Sequence, residues 1–190
     1  MSNLTFTYGV MGSSKTAQAL ITRYNYLQKG FNVILAKPDI DNRNDDIERT
    51  VSSRIGISAP CLTFKNNENL IELYLKHLTL NNNILIIDEA QFCTKEQVDQ
   101  LKSISKSVDV LCFGLKTNFK SELFEGSKRL IEIADSISEI SHICRCGKNA
   151  IINARFINGK VTTDGDEILI GGDESYEALC YNCWKKMLKK

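Results

Sequence analysis

A chain of 190 residues is long enough for one ordinary domain and a small appendage. Its 43% hydrophobic and 25% charged content is that of a globular protein, and a net charge of +1 provides no long-range field to draw it to nucleic acid or an anionic membrane. No apolar run is long enough to span a bilayer and the N-terminus has no basic segment followed by an apolar core, so the expected location is the cytoplasm, with no membrane or nucleic-acid partner.

The first predicted strand, Leu4–Tyr8, runs into Gly9-Val10-Met11-Gly12-Ser13-Ser14-Lys15-Thr16. This is the spacing of a phosphate-binding loop, with Ser14 in place of the second glycine. Such a loop turns backbone N–H groups inward as an anion nest at a helix N-terminus, so Gly9, Met11, Gly12, Ser13 and Ser14 are candidate phosphate contacts. Lys15 is placed to reach the β- and γ-phosphates and the Thr16 hydroxyl to bind Mg²⁺. A helical pattern follows over Lys15–Lys29 (Ala19, Leu20, Tyr24, Leu27) and stops at Gly30. Asn32–Lys37 reads as a strand closed by Pro38. Asp39–Ser58 is polar without apolar period and is expected to be a long loop. Asn67–Leu80 reads as a helix with Leu70, Leu73 and Tyr74 on one face, His77 flanking that face rather than binding a metal.

Asn81–Asn83 signals a turn before Ile84-Leu85-Ile86-Ile87, a run apolar on every side, as expected of a strand buried on both faces of a parallel sheet. It ends in Asp88-Glu89. Thr94 caps a helix to about Ser105, with Glu96 and Gln97 in its first turn. Val108–Phe113 is a further buried strand, Glu122–Ala134 a helix and Ser136–Ser141 a last strand. Strand and helix alternate throughout, so residues 1–140 are expected to form a doubly wound α/β domain with a mostly parallel sheet.

Residues 141–190 are a different kind of sequence. Short strands (Ala150–Ile157, Lys160–Thr163) precede a Gly/Asp-rich loop, Asp164–Asp173, and the basic tail Lys185–Lys190 reads as a solvated helix end. Seven cysteines, an odd number, argue against a disulfide framework. Cys61, Cys93 and Cys112 read as buried free thiols. Cys144 and Cys146 form one local pair, and Cys180 and Cys183 another. Four thiolates satisfy a structural zinc, tetrahedral with no open position, although the first pair is one residue tighter than usual. His142 is near enough to substitute as a ligand, and buried thiols or a redox pair are the competing readings.

The chemistry requires a second acid beside the phosphate loop. Asp88, at the end of a neighbouring buried strand, fits a carboxylate that holds Mg²⁺ through water. Glu89 lies at the same sheet edge, where a group accepting an alcohol proton is needed. An ATPase would use a glutamate there to activate water instead.

One combination carries more information than any single motif. Gly9–Thr16, Lys37-Pro38 with Asp41-Asn42-Arg43, Ser53–Gly56, Asp88-Glu89-Ala90-Gln91-Phe92, Gly114-Leu115-Lys116-Thr117-Asn118-Phe119, the cysteine pairs and Gly171-Gly172 through Tyr176 occur in one order. In this the chain resembles the type II, zinc-containing thymidine kinases over nearly its whole length. The resemblance implies phosphoryl transfer from ATP to the 5′-hydroxyl of thymidine, with deoxyuridine as a further acceptor, requiring Mg²⁺ and structural Zn²⁺. It implies that Glu89 is the catalytic base, that Gln91 and Arg43 join the ATP site, and that Phe119 packs on the thymine ring. Asn153 takes the place of a small side chain near the thymine methyl, and Met11 and Leu115 line the nucleoside pocket. Thr163–Tyr176 resembles the family's lasso loop, placing Ile168, Ile170, Gly171 and Gly172 against the base, with Tyr176 closing the pocket. A homotetramer and feedback inhibition by thymidine triphosphate are implied as well. Arg43 and Arg54 either neutralise phosphate or are solvated loop residues. Ser14, the tight first cysteine pair, and Asn118 where the family often has Asp depart from the pattern. The rival readings are a nucleic-acid-associated ATPase with a zinc ribbon and a nucleotide-binding homologue without turnover.

Overall fold

The chain builds its centre from strands that are apolar on both faces. The computed structural model describes residues 2–39, 49–165 and 176–189. Its central sheet contains Leu4–Tyr8 (β1), Asn32–Pro38 (β2), Leu62–Phe64 (β5), Asn83–Ile87 (β6), Asp109–Gly114 (β7) and Ser136–Glu139 (β8). The order is β5-β2-β6-β7-β1-β8, and every pairing is parallel. The connecting helices are Lys15–Gln28 (α1), Leu70–Lys76 (α2), Lys95–Ile104 (α3) and Glu125–Ile133 (α4).

Both sheet faces are covered, as continuous apolar strands require. On one face Ile34, Ala36, Leu85, Ile87 and Val110 pack with Leu70 and Tyr74 of α2, Val98 and Leu101 of α3 and Leu130 of α4. On the other, Leu35, Ile86 and Phe113 pack with Ala19 and Leu20 of α1. Alternate residues of β2 and β6 thus feed opposite cores. Because every strand runs the same way, the ends of β1, β6 and β7 deliver Gly9, Asp88 and Leu115 to one sheet edge.

The predicted α/β alternation holds, with local corrections. The expected loop over Asp39–Ser58 contains a hairpin in its described part: Thr50–Ser52 (β3) pairs with Ser58–Pro60 (β4). Val51 and Ala59 are buried against α1, which fixes an otherwise polar segment. β5 escaped the periodicity reading because Leu62–Phe64 is too short to display one. The helix expected over Asn67–Leu80 is only Leu70–Lys76. Asn69 stops it from starting earlier by capping it, its side chain accepting from the Ile71 and Glu72 N–H groups. His77 is exposed at the end of that helix, its Nδ1 2.9 Å from the Leu73 carbonyl. Thr94 and Gln97 form a reciprocal capping box at the start of α3, as anticipated. Cys93 and Cys112 are buried, whereas Cys61 is half-exposed.

Beyond β8, Ile152–Ile157 (β9), Lys160–Thr162 (β10) and Tyr176–Leu179 (β11) form an antiparallel sheet, followed by Tyr181–Leu188 (α5). Asn158-Gly159, both at positive φ, make the β9–β10 turn. Tyr176, expected within a loop, opens β11 and pairs with Arg155 of β9. This unit has its own small core of Cys144, Ala150, Ile152, Ala154, Leu179, Cys180 and Trp184. Val10 of the phosphate-binding loop is packed into the same core. Among the described residues no helix is long and apolar enough to cross a membrane.

Candidate active site

The loop after β1 passes through two left-handed residues before it enters α1. Gly12 lies at φ 79° and Ser14 at φ 66°, both left-handed, and the Ser14 carbonyl accepts the first helical hydrogen bond, from Gln18 N, at 3.0 Å. For a non-glycine residue that conformation costs about 1–2 kcal/mol, and the Ser14 side chain makes no capping bond in return. Ser13 Oγ is buried with no hydrogen-bond partner among the described residues, and thus points to a polar ligand. The buried Lys15 donates from Nζ to the Val10 carbonyl at 2.8 Å. Burial, with a smaller contribution from the Arg54 cation, holds the Lys15 ammonium below its usual pKa against the opposing pull of Glu89 and Asp88. Arg54 Nη1 and His142 Nε2 lie 3.8 and 3.9 Å from where a side chain on Gly12 would begin.

At the end of β6, Asp88 is buried, its N–H donating to the Ala36 carbonyl at 3.0 Å and its carboxylate hydrogen-bonded to Thr16. The proposed Mg²⁺ ligands therefore meet across the loop. Burial first, and the neighbouring Glu89 second, push the Asp88 carboxyl up to about 6. Glu89 sits at φ 54°, a left-handed backbone that turns the chain sharply into the 3₁₀ turn Ala90–Phe92. Its Oε2 accepts from Gln91 Nε2 at 2.5 Å, and Gln91 Oε1 accepts from Leu115 N at 2.9 Å. A Cβ on Gly114 would stand 2.6 Å from Gln91 Oε1, so only glycine lets this amide pass. Gln91 thus acts as a strut between the Glu89 carboxylate and the loop after β7, a contact that its sequence position did not reveal.

That loop carries Leu115 and Phe119. Asn118 Oδ1 accepts from the N–H groups of Lys120 and Glu122, each at 3.0 Å. An aspartate oxygen would accept the same bonds, which explains why asparagine is tolerated here. The buried Asn153 uses both ends of its amide. Its Oδ1 accepts from Met11 N at 2.7 Å and its Nδ2 donates to the Thr117 carbonyl at 3.1 Å. Asn153 therefore ties the phosphate-binding loop to the loop after β7. Phe119 is buried under Arg155, which also reaches Tyr176. Arg155 was not among the expected residues, although a lone arginine in the apolar run Ile152–Ile157 signals an unusual environment. Arg43, Ile168, Ile170, Gly171 and Gly172 lie outside the described residues.

The Sγ atoms of Cys144, Cys146, Cys180 and Cys183 all lie within 4.8 Å of one another. Cys146 Sγ is 3.7 Å from that of Cys144 and 3.6 Å from that of Cys180. A tetrahedral zinc with bonds of about 2.3 Å sets its sulfurs about 3.8 Å apart, so the four thiolates fit that ion. The one-residue spacing suffices because the chain turns back at once. Gly147 N bonds the Cys144 carbonyl at 2.8 Å and Cys144 N the Lys148 carbonyl at 2.9 Å. His142, the alternative ligand, is outside this cluster and beside Gly12 instead.

Comparison with known proteins agrees with this geometry. The sequence model of the family described as thymidine kinase matches residues 2–184. A thymidine kinase of Legionella pneumophila (strain Philadelphia 1) is 41% identical over 98% of this chain and 90% of its own length. That of Enterobacteria phage T4 is 40% identical over 100% of this chain and 99% of its own. That of Shewanella oneidensis is 38% identical over 99% of each.

Proposed function

Since the chain belongs to the thymidine kinase family, we propose that it transfers the γ-phosphoryl group of ATP to the 5′-hydroxyl of thymidine, accepting deoxyuridine as well. The observation that carries this reading is the position of Glu89. It follows Asp88 directly and is tied through Gln91 to Leu115 of the opposite loop, so one carboxylate borders both halves of the site. The nest amides of residues 12–16 and Ser13 Oγ hold the β- and γ-phosphates. Lys15 exchanges its bond to the Val10 carbonyl for one to phosphate. Mg²⁺ held by Thr16 and, through water, by Asp88 would neutralise charge on the transferring group. Met11, Leu115, Phe119, Asn153 and Tyr176 surround the nucleoside, aligning its 5′-oxygen with the γ-phosphorus. Glu89 accepts the 5′-hydroxyl proton as the new O–P bond forms and the bond to the β-phosphate oxygen breaks, releasing ADP.

Zinc at the four cysteines serves folding rather than chemistry. Residues 1–140 act as the donor domain and 141–190 as the zinc and nucleoside-binding domain. Arg43 and the segment containing Ile168, Ile170, Gly171 and Gly172 complete the ATP and base contacts. A homotetramer inhibited by thymidine triphosphate, in the reducing cytoplasm where free thiols persist, completes the reading. The test is incubation with γ-labelled Mg-ATP and each deoxynucleoside, with and without DNA, resolving the products. Label in thymidine monophosphate supports the proposal. DNA-stimulated phosphate release without nucleoside monophosphate would replace it with an ATPase, and binding without turnover with a regulator.

A further inference from the structure

The guanidinium of Arg155 is buried in the β9–β11 sheet and engages the two aromatic residues assigned to the nucleoside. Its carbon lies 3.6 Å from the centroid of the Phe119 ring, the distance of a flat stack, and 5.2 Å from that of Tyr176. Its Nε donates to the Tyr176 hydroxyl at 2.7 Å. Register explains the meeting: Arg155 is paired with Tyr176 across β9–β11 and with Thr162 across β9–β10, so it stands mid-sheet with its side chain toward the loop after β7. Its Nη1 also lies 3.4 Å from where a side chain on Gly165 would begin. Phe119 and Tyr176 come from segments that share no secondary structure, and this planar cation joins them.

A guanidinium is the side chain suited to this task. It stacks on a ring face, donates in its own plane at the same time, and keeps its charge in a buried setting where a lysine would readily lose its proton. Burying such a cation is costly, so its position is tightly determined by the partners it has.

We propose that Arg155 is a positioning residue for the nucleoside, holding Phe119 and Tyr176 at fixed separation so that the base enters a preformed slot. This rests on the thymidine kinase reading above. Binding of the base then depends on Arg155, whereas the triphosphate, held by the nest and Lys15, does not.

The test compares wild type with Arg155→Met, Arg155→Lys and Tyr176→Phe in the full-length protein, measuring KM for thymidine and for ATP, kcat, zinc content and thermal midpoint. Arg155→Met is expected to raise the thymidine KM about tenfold, the scale of one desolvated cation–ring contact with its hydrogen bond, while ATP KM and zinc content stay at wild-type values. Arg155→Lys should recover part of the loss. Tyr176→Phe should raise the thymidine KM in wild type and have no further effect in Arg155→Met, because the bond it removes is already gone. A fall in thymidine KM would mean that Arg155 occupies the base position, and equal changes in both KM values would mean a general structural role. Either result overturns the proposal, as would additive effects of the two substitutions. Wild type that makes no thymidine monophosphate would instead defeat the functional reading, and this inference with it.

Discussion

The phosphate-binding region and the C-terminal unit solve the problem of placing side chains by opposite means. Around Lys15, Asp88 and Glu89, positions follow from strand ends: a parallel sheet with large cores on both faces delivers the three to one edge. Around Phe119, Asn153, Arg155 and Tyr176, short strands and a small core supply little rigidity. Placement comes instead from side-chain struts and from the four-cysteine cluster. The region around Lys15, Asp88 and Glu89, the proposed donor site, is thus held by backbone architecture, and the region around Arg155, the proposed acceptor site, by cross-links.

The largest consequence concerns the cysteines. A structural zinc in a small unit contributes on the order of 10 kcal/mol of folding energy, so Cys180→Ser should abolish zinc binding and thymidine turnover. Mg-ATP affinity should fall by about ten- to a hundredfold without being lost, because the phosphate-binding loop gives up the packing of Val10 and the bond from Met11 N to Asn153 Oδ1 but keeps its strand-end position. Calorimetric titration of both substrates checks this, and loss of both together would show that the two regions fold as one. Next comes Asn153→Ala, which strands the Met11 N–H and the Thr117 carbonyl. At about 1–3 kcal/mol for such buried groups, both KM values should rise by about ten- to a hundredfold, since this strut serves both sides.

Asp88 gives a pH signature confined to the donor side. Its folded pKa is raised to about 6, so its contribution to the stability of the metal-free protein is present below the ordinary carboxylate range and is lost as pH rises through about 6. In the proposed reaction the deprotonated Asp88 is the form that would help to hold Mg²⁺. The thermal stabilisation by Mg-ATP should therefore grow between pH 5 and pH 7, by about tenfold in apparent affinity for this one group, while thymidine binding varies less. A differential scanning titration with each ligand separates the two. The smallest expected effect is Ser14→Gly. Relief of the left-handed backbone, less the entropy of glycine, should raise the thermal midpoint by about 2 °C and leave the thymidine KM unchanged.

The same division governs how much could be read from the sequence. The loop Gly9–Thr16, the strand ending in Asp88-Glu89 and the Thr94 cap are local patterns with one structural solution each, and they appear where expected. The four cysteines were legible because metal ligands have few alternatives. The hairpin Thr50–Pro60 and β5 were not, since three-residue strands have no measurable period and depend on burial of Val51, Ala59 and Phe64 against distant elements. The partners of Arg155 and of Gln91 were not legible for a related reason: they are set by tertiary register, which no local spacing encodes. Ser14 departs from the usual pattern, and its φ of 66° is the left-handed conformation that glycine adopts without strain.

The central claim is that Glu89 stands where the two regions meet and takes the proton of the 5′-hydroxyl. Its most direct test is single-turnover formation of thymidine monophosphate by Glu89→Gln and wild type, with both substrates saturating. Loss of a positioned general base should slow transfer by about 10²–10⁴-fold while the affinities for Mg-ATP and thymidine remain those of wild type. Transfer at the wild-type rate would contradict the account.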